Sequence, residues 1–123
     1  MAVVHTLLVR QTIANLVVDL IDAGAGAGNL IFQTAADAEV ATLPFSDPAF
    51  GAADGSAIAT ANAITADTTA TAGTIEHAKF FDSNSLEVLE CSCGIGTGDI
   101  QLSSLTIATN DTVSVSNLTY TVP

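Results

Sequence analysis

One stretch of this 123-residue chain carries helical spacing, and everything after it is cut into strand-length pieces. In VRQTIANLVVDLIDAG (9–24), Val9, Ile13, Leu16, Val17, Leu20 and Ile21 recur at intervals of three and four, the period of one helix face. Gly24 supplies the stop and opens the flexible run GAGAG. A lone short helix is marginal in water, so this one must dock. The stripe Ile13–Leu16–Val17–Leu20 is the expected docking face, set on the chain's own sheet or on a neighbouring subunit. The glycine run follows a helix rather than a strand and lacks Lys-Ser/Thr, so it reads as a connector and not a phosphate loop.

Beyond Gly28 the pattern turns to β. NLIFQT (29–34) and EVATLPF (39–45) are short apolar runs joined by AADA, a tight connection. TIEHAKFF (74–81) and SLEVLECSC (85–93) flank the turn DSNS and read as antiparallel strands with Leu89, Cys91 and Cys93 on one face. Over 99–123 the apolar parity flips near Ser103–Ser104 and again near Ser116–Asn117. Such flips mark bends where a chain crosses between two sheets. Pairing Ile107 with Val113 and Leu105 with Val115 is expected across a Thr109-Asn110-Asp111 loop, where Asn and Asp tolerate a left-handed residue. The fold class expected is mainly β: an antiparallel, jelly-roll-like β-sandwich with one N-terminal α-helix. A single domain spans 1–123, with the helix at about 9–24, the sandwich at about 29–123 and an extended arm at about 51–73.

Two of the three prolines and two of the five phenylalanines fall in LPFSDPAFG (43–51). Pro44 and Pro48 lack ladder donors, so the strand entering this segment must run along a sheet edge or leave the sheet. Phe45 is expected to point into its own domain. Phe50 is expected at a subunit contact, with the Ala/Thr-rich arm continuing across it and carrying Ile58 and Ile64. Together with Leu16, these three form the expected interface set: Phe50, Ile58, Ile64 and Leu16.

Hydrophobic residues make up 49% of the chain and charged residues 12%, a low share that points to extensive partner contact. No apolar run reaches the ~18 residues of a spanning helix, and no basic segment leads a signal-type core, so a soluble, unprocessed chain without membrane contact is expected. Thirteen acids face only Arg10 and Lys79, a net charge of −11. A chain so charged repels phosphates, which argues against direct nucleic-acid binding.

Catalytic chemistry has no foothold in the motifs. There is no G-x-S-x-G, H-E-x-x-H, P-loop or dinucleotide fingerprint, so no catalytic residue, no cofactor and no enzyme are expected. Cys91 and Cys93 form a C-x-C pair with only His5 and His77 as further soft ligands, which reads as reduced, buried, metal-free hydrophobes. Asp47 and Asp54 lack calcium-loop spacing. His77, between Glu76 and Lys79, reads as a cross-strand residue. The sequons at 110–112 and 117–119 read as turn and strand.

The chain resembles the small β-rich virion proteins encoded beside the major capsid protein in tailed bacteriophages. The resemblance runs through RQTIANLVVDLIDAG, NLIFQT, ATLPFSDPAFG, GSAIATANAI, KFFDSNSLEVLECS and NDTVSVSNLTYTVP, and it departs at Cys91 and Cys93, where small or aliphatic residues are expected. It implies a capsid decoration (cement) protein that binds the outside of the shell and stabilises it. The implied partner is the major capsid protein and the implied location the capsid exterior; the Phe50 contact and the arm crossing it point to an oligomer, a homotrimer with a dimer as the alternative. A tail or head–tail component shares these traits. A carbohydrate-binding or adhesin-like module would want exposed aromatics, which here sit mostly at core parity.

Overall fold

The structure, a computed structural model, describes residues 3–122; Met1, Ala2 and Pro123 lie outside the described residues. Helix α1 (Leu7–Leu20) begins two residues before the expected start because Thr6 caps it, its Oγ1 accepting from the Val9 N–H at 3.4 Å. It ends earlier than expected. Ile21, Asp22 and Ala23 each bond the carbonyl three residues back, tightening the last turn, and Gly24 follows at φ +94°.

Against its own domain α1 docks by a face other than the expected stripe. Ala14, Val18 and Ile21 are buried, whereas Leu16 is 63% exposed and Ile13 and Val17 are half-buried. The small Ala14 and Val18 let the helix lie close to β3 (Ile58–Thr60) and β9 (Thr119–Thr121), the two strands it packs against. Side-chain size, and not apolar count, chose the face.

The largest unit is a five-stranded mixed sheet in the order β2-β1-β5-β6-β7. Its strands are β1 (Asn29–Gln33), β2 (Glu39–Pro44), β5 (His77–Phe81), β6 (Glu87–Gly94) and β7 (Ile100–Gln101). The β1–β2 and β5–β6 hairpins form where the sequence puts them, and β1 pairs β5 antiparallel, with Phe32 opposite Ala78 and Leu30 opposite Phe80. β2 is the edge strand and stops at Pro44, as a residue without an N–H requires. β6 and β7 run parallel across a five-residue link, far shorter than the usual crossover. Gly96 and Gly98, at φ +68° and +84°, make so tight a return possible.

Two short ladders complete the β structure: β3 with β9, and β4 (Gly73–Thr74) with β8 (Thr106–Ile107). The expected 105–115 hairpin does not form. Asn110 does take the left-handed conformation, at φ +67°, but the flanks diverge because each has a partner elsewhere. Ile107 pairs Gly73, and Val113 exchanges backbone bonds with Asp67. The parity flips are meaningful all the same: Ile100–Gln101 belongs to the large sheet, Thr106–Ile107 to one ladder and Thr119–Thr121 to the other.

The Ala/Thr stretch 51–73 is likewise engaged with its own domain. Its N–H groups bond to Ala49, Pro44 and Val40 on one side and to Leu118, Val113 and Asp111 on the other. Ala57, Ala59 and Ala70 are buried along it, so the small side chains serve close backbone approach. One core results. Leu30, Phe32, Leu43 and Phe80 from the large sheet join Ala59, Ile75, Val113 and Leu118 from the rest of the chain.

Candidate interaction surface

The segment LPFSDPAFG places both of its rings inside. Phe45 and Phe50 are 4% and 5% exposed, and with Phe80 they form a three-ring cluster with centroid separations of 5.4, 5.9 and 6.4 Å. Offset rings at these distances attract beyond simple burial. Phe45 faces inward as expected. Phe50 does so too, which corrects its assignment to a subunit contact: Phe80, one strand further in, offers the second ring a site within the chain. The loop is pinned by Asp22, whose Oδ1 accepts the Ala49 N–H at 2.8 Å, and by Asn62, whose Nδ2 donates to the Pro48 carbonyl at 3.0 Å.

The other expected contact residues are dispersed. Ile58, in β3, and Ile64, packed against the core, are both half-buried by their own chain. Leu16 alone stands in the open, on the outer face of α1. Around it lies the chief apolar surface of the molecule. Val3 and Val4 lead into the helix at 85% exposure each, Leu8 is largely exposed, and Val9, Leu16 and Leu20 line up along the helix. Leu86 and Ile95 protrude singly from turns elsewhere.

This apolar surface coincides with a charge boundary. All thirteen acids lie at or after Asp19, so residues 3–18 contain none and hold Arg10 and His5. The other cation, Lys79, is enclosed by Asp37, Glu87 and Glu90 at 3.4–3.7 Å. Desolvation pulls its pKa down, but the Glu87 hydrogen bond and the surrounding carboxylates outweigh it and raise the value. The body is therefore acidic and the leading helix is not.

Most of the acids that approach backbone build turns. Asp54, Asp67 and Asp82 each accept the N–H two residues on, from Ser56, Thr69 and Asn84, the geometry of an Asx-turn. Asp99 and Ser92 exchange bonds at 3.0–3.1 Å and close the β6–β7 link. Asp67 does more. Its other oxygen accepts from Thr42 at 2.9 Å and ties the 51–73 segment to the edge strand; the two backbone donors hold its carboxyl below the ordinary 3.8. Of these turns only DSNS is expected from the sequence, and the reach of Asp67 to Thr42 has no local sign.

The thiols are poor nucleophiles. Cys91 and Cys93 are free and half-buried rather than fully buried as expected. Burial, with Cys93 and Asp99 nearby, pushes the Cys91 thiol up to about 12, and burial with Asp99 pushes Cys93 to about 11. At neutral pH the reactive thiolate is scarce. Cys91 lines a cleft of ≈ 600 Å³ with Phe80, Leu89, Ile100 and Tyr120, and the carboxylates in that lining, Glu90 and Asp99, disfavour its thiolate. His77 bonds Gln33 Oε1 and Asp37 Oδ1, both at 2.9 Å, a cross-strand contact. Among the described residues no three His, Cys, Asp or Glu side chains are grouped to share an ion, and no helix is long and apolar enough to cross a membrane. Compared with protein-family models, curated proteins and solved structures, the chain matches none.

Proposed function

We propose that the protein is a structural virion component, a decoration (cement) protein that binds the outside of a phage capsid and stabilises it. The observation that supports this reading is the segregation of charge: an apolar, acid-free leading segment joined to a body that carries every acid. The leading segment, with Val3, Val4 and Leu8 exposed, is the part suited to seat on the major capsid protein. The acidic body repels packaged DNA and suits the outer side of a shell. Acids spent on turns and protonated thiols fit a protein that works by contact. In this reading the two short ladders are the second layer of a jelly-roll-like β-sandwich over the five-stranded sheet, supported by the core they share.

The test is to add purified protein to capsids that lack it and image the particles. Density on the outer shell at hundreds of copies per particle is expected. Density confined to the tail, or an absence of binding, overturns the proposal. Binding should weaken in a Val3→Ser/Val4→Ser chain whose melting temperature is unchanged.

A further inference from the structure

Two strands present unpaired edges to the same cleft. β6 is bonded to β5 along its length, but β7 covers its other edge only at Cys93 and Gly94. The Cys93 N–H points to β5 and bonds the Glu76 carbonyl, while the Ser92 N–H points away, to Asp99. Alternation turns the N–H and C=O of Glu90 away from β5 as well. β9 pairs β3 on one side alone. The Leu118 carbonyl accepts the Ala61 N–H, so the backbone groups of Thr119 and Thr121 face away from β3. Among the described residues these outward groups have no strand partner. Glu90, Thr119 and Thr121 all line the ≈ 600 Å³ cleft, which they share with Phe80, Leu89 and Tyr120. An extended segment entering there finds backbone partners on two strand edges and apolar side chains between them.

Charge and exposure point to the segment. Glu90 and Asp99 line the cleft and no base does. Lys79, 3.6 Å from Glu90, is shared with Asp37 and Glu87, so the cleft keeps a negative charge and disfavours an acidic occupant. Residues 3–18 are the acid-free part of the chain. At their head Val3 and Val4 are 85% exposed, the most exposed large apolar side chains among the described residues. Residues 3–6 precede the helix, and Thr6 is extended, at φ −65° and ψ 163°. Val3, Val4 and Thr6 are β-branched and suit a strand. This arm falls short of its own cleft. Val17, at the cleft, lies ~15 Å along α1 from Leu7, whereas residues 3–6 reach only ~13 Å when fully extended.

We infer that residues 3–6 of one copy lie as an added strand in the cleft between β6 and β9 of a second copy. Exchanged reciprocally, the two arms close a two-fold pair. The pairing belongs to the free protein and goes beyond the capsid reading. Seating on a capsid calls on the same arm, so the two uses exclude each other, and each can fail while the other stands. So short a strand buries a small interface, and the pair should dissociate on dilution.

Sedimentation equilibrium of the purified chain should show reversible self-association. Val3→Asp/Val4→Asp, which sets acids against Glu90 and Asp99, should raise the dissociation constant at least ~10-fold, with circular dichroism and melting of the diluted chain unchanged. Placement is read by disulfide cross-linking under mild oxidation, in a Cys91→Ser/Cys93→Ser background. Side chains alternate along a strand, so a Thr119→Cys chain should join either a Val3→Cys or a Val4→Cys chain in a mixed pair, and not both. A monomer at all concentrations, association that survives Val3→Asp/Val4→Asp, or cross-linking of both arm positions equally or of neither overturns the inference. So does a single chain carrying the reactive pair that closes the disulfide within itself, the arm then filling its own cleft.

Discussion

Phe50 and Leu16 show how burial decides what a side chain is worth. Phe50 completes a three-ring cluster, so Phe50→Ala should destabilise the isolated chain by about 3–5 kcal/mol, measured by urea unfolding. Leu16→Asp removes almost no intrachain contact and should change monomer stability by less than about 0.5 kcal/mol in the same assay. The cysteines make a second prediction at this scale. Folded thiol values near 12 and 11 exceed the ordinary 9.0, so the fold favours the neutral thiol. That contribution is full below 9.0 and is lost as pH rises through 11 to 12. Alkylation by iodoacetamide at pH 8 should be slow in the native chain, and two thiols should react promptly in denaturant; equal native and denatured rates would contradict the burial of both groups.

Elements here are held by a few side-chain anchors rather than by long ladders. Asp67 joins the 51–73 segment to the edge strand, and its carboxyl titrates below its ordinary 3.8. A depressed carboxylate contributes stability above its unfolded value and loses it as pH falls through the folded one. Asp67→Ala should therefore cost about 1–3 kcal/mol at pH 7, and the gap from the unaltered chain should close as pH falls below 3.8. Denaturation midpoints at several pH values measure this. Gly28 is an anchor of another kind. A Cβ there would strike the Phe81 carbonyl oxygen and lie 2.7 Å from that of Ile21, both backbone atoms. Gly28→Ala should lower stability by about 1–3 kcal/mol, seen as a fall in melting temperature.

At the scale of the whole molecule the division is between an acidic body and a leading segment, residues 3–18, without acids. A chain at −11 should keep away from polyanions. If the protein clamps a shell from outside, capsids without it should still assemble but release their DNA at a lower temperature than complete ones. A thermal-release assay with a DNA-binding dye compares the two directly. Equal release temperatures would mean that the protein attaches without stabilising.

Local chemistry, readable along the chain, determined the helix, the two hairpins of the large sheet, the halt of β2 at Pro44 and the bends near 103–104 and 116–117. Each depends on neighbours a few residues away: a helical or alternating period, a missing N–H, a turn-forming Asp or Asn. Tertiary structure decided which helix face docks, because Ala14 and Val18 win by permitting close approach and not by apolar area. It also decided that Phe50 joins Phe45 and Phe80, that the 51–73 segment bonds its own domain, and that Ile107 and Val113 take partners from that segment rather than each other. Those outcomes depend on residues tens of positions apart competing for the same backbone groups and the same core volume, and no local period records that competition.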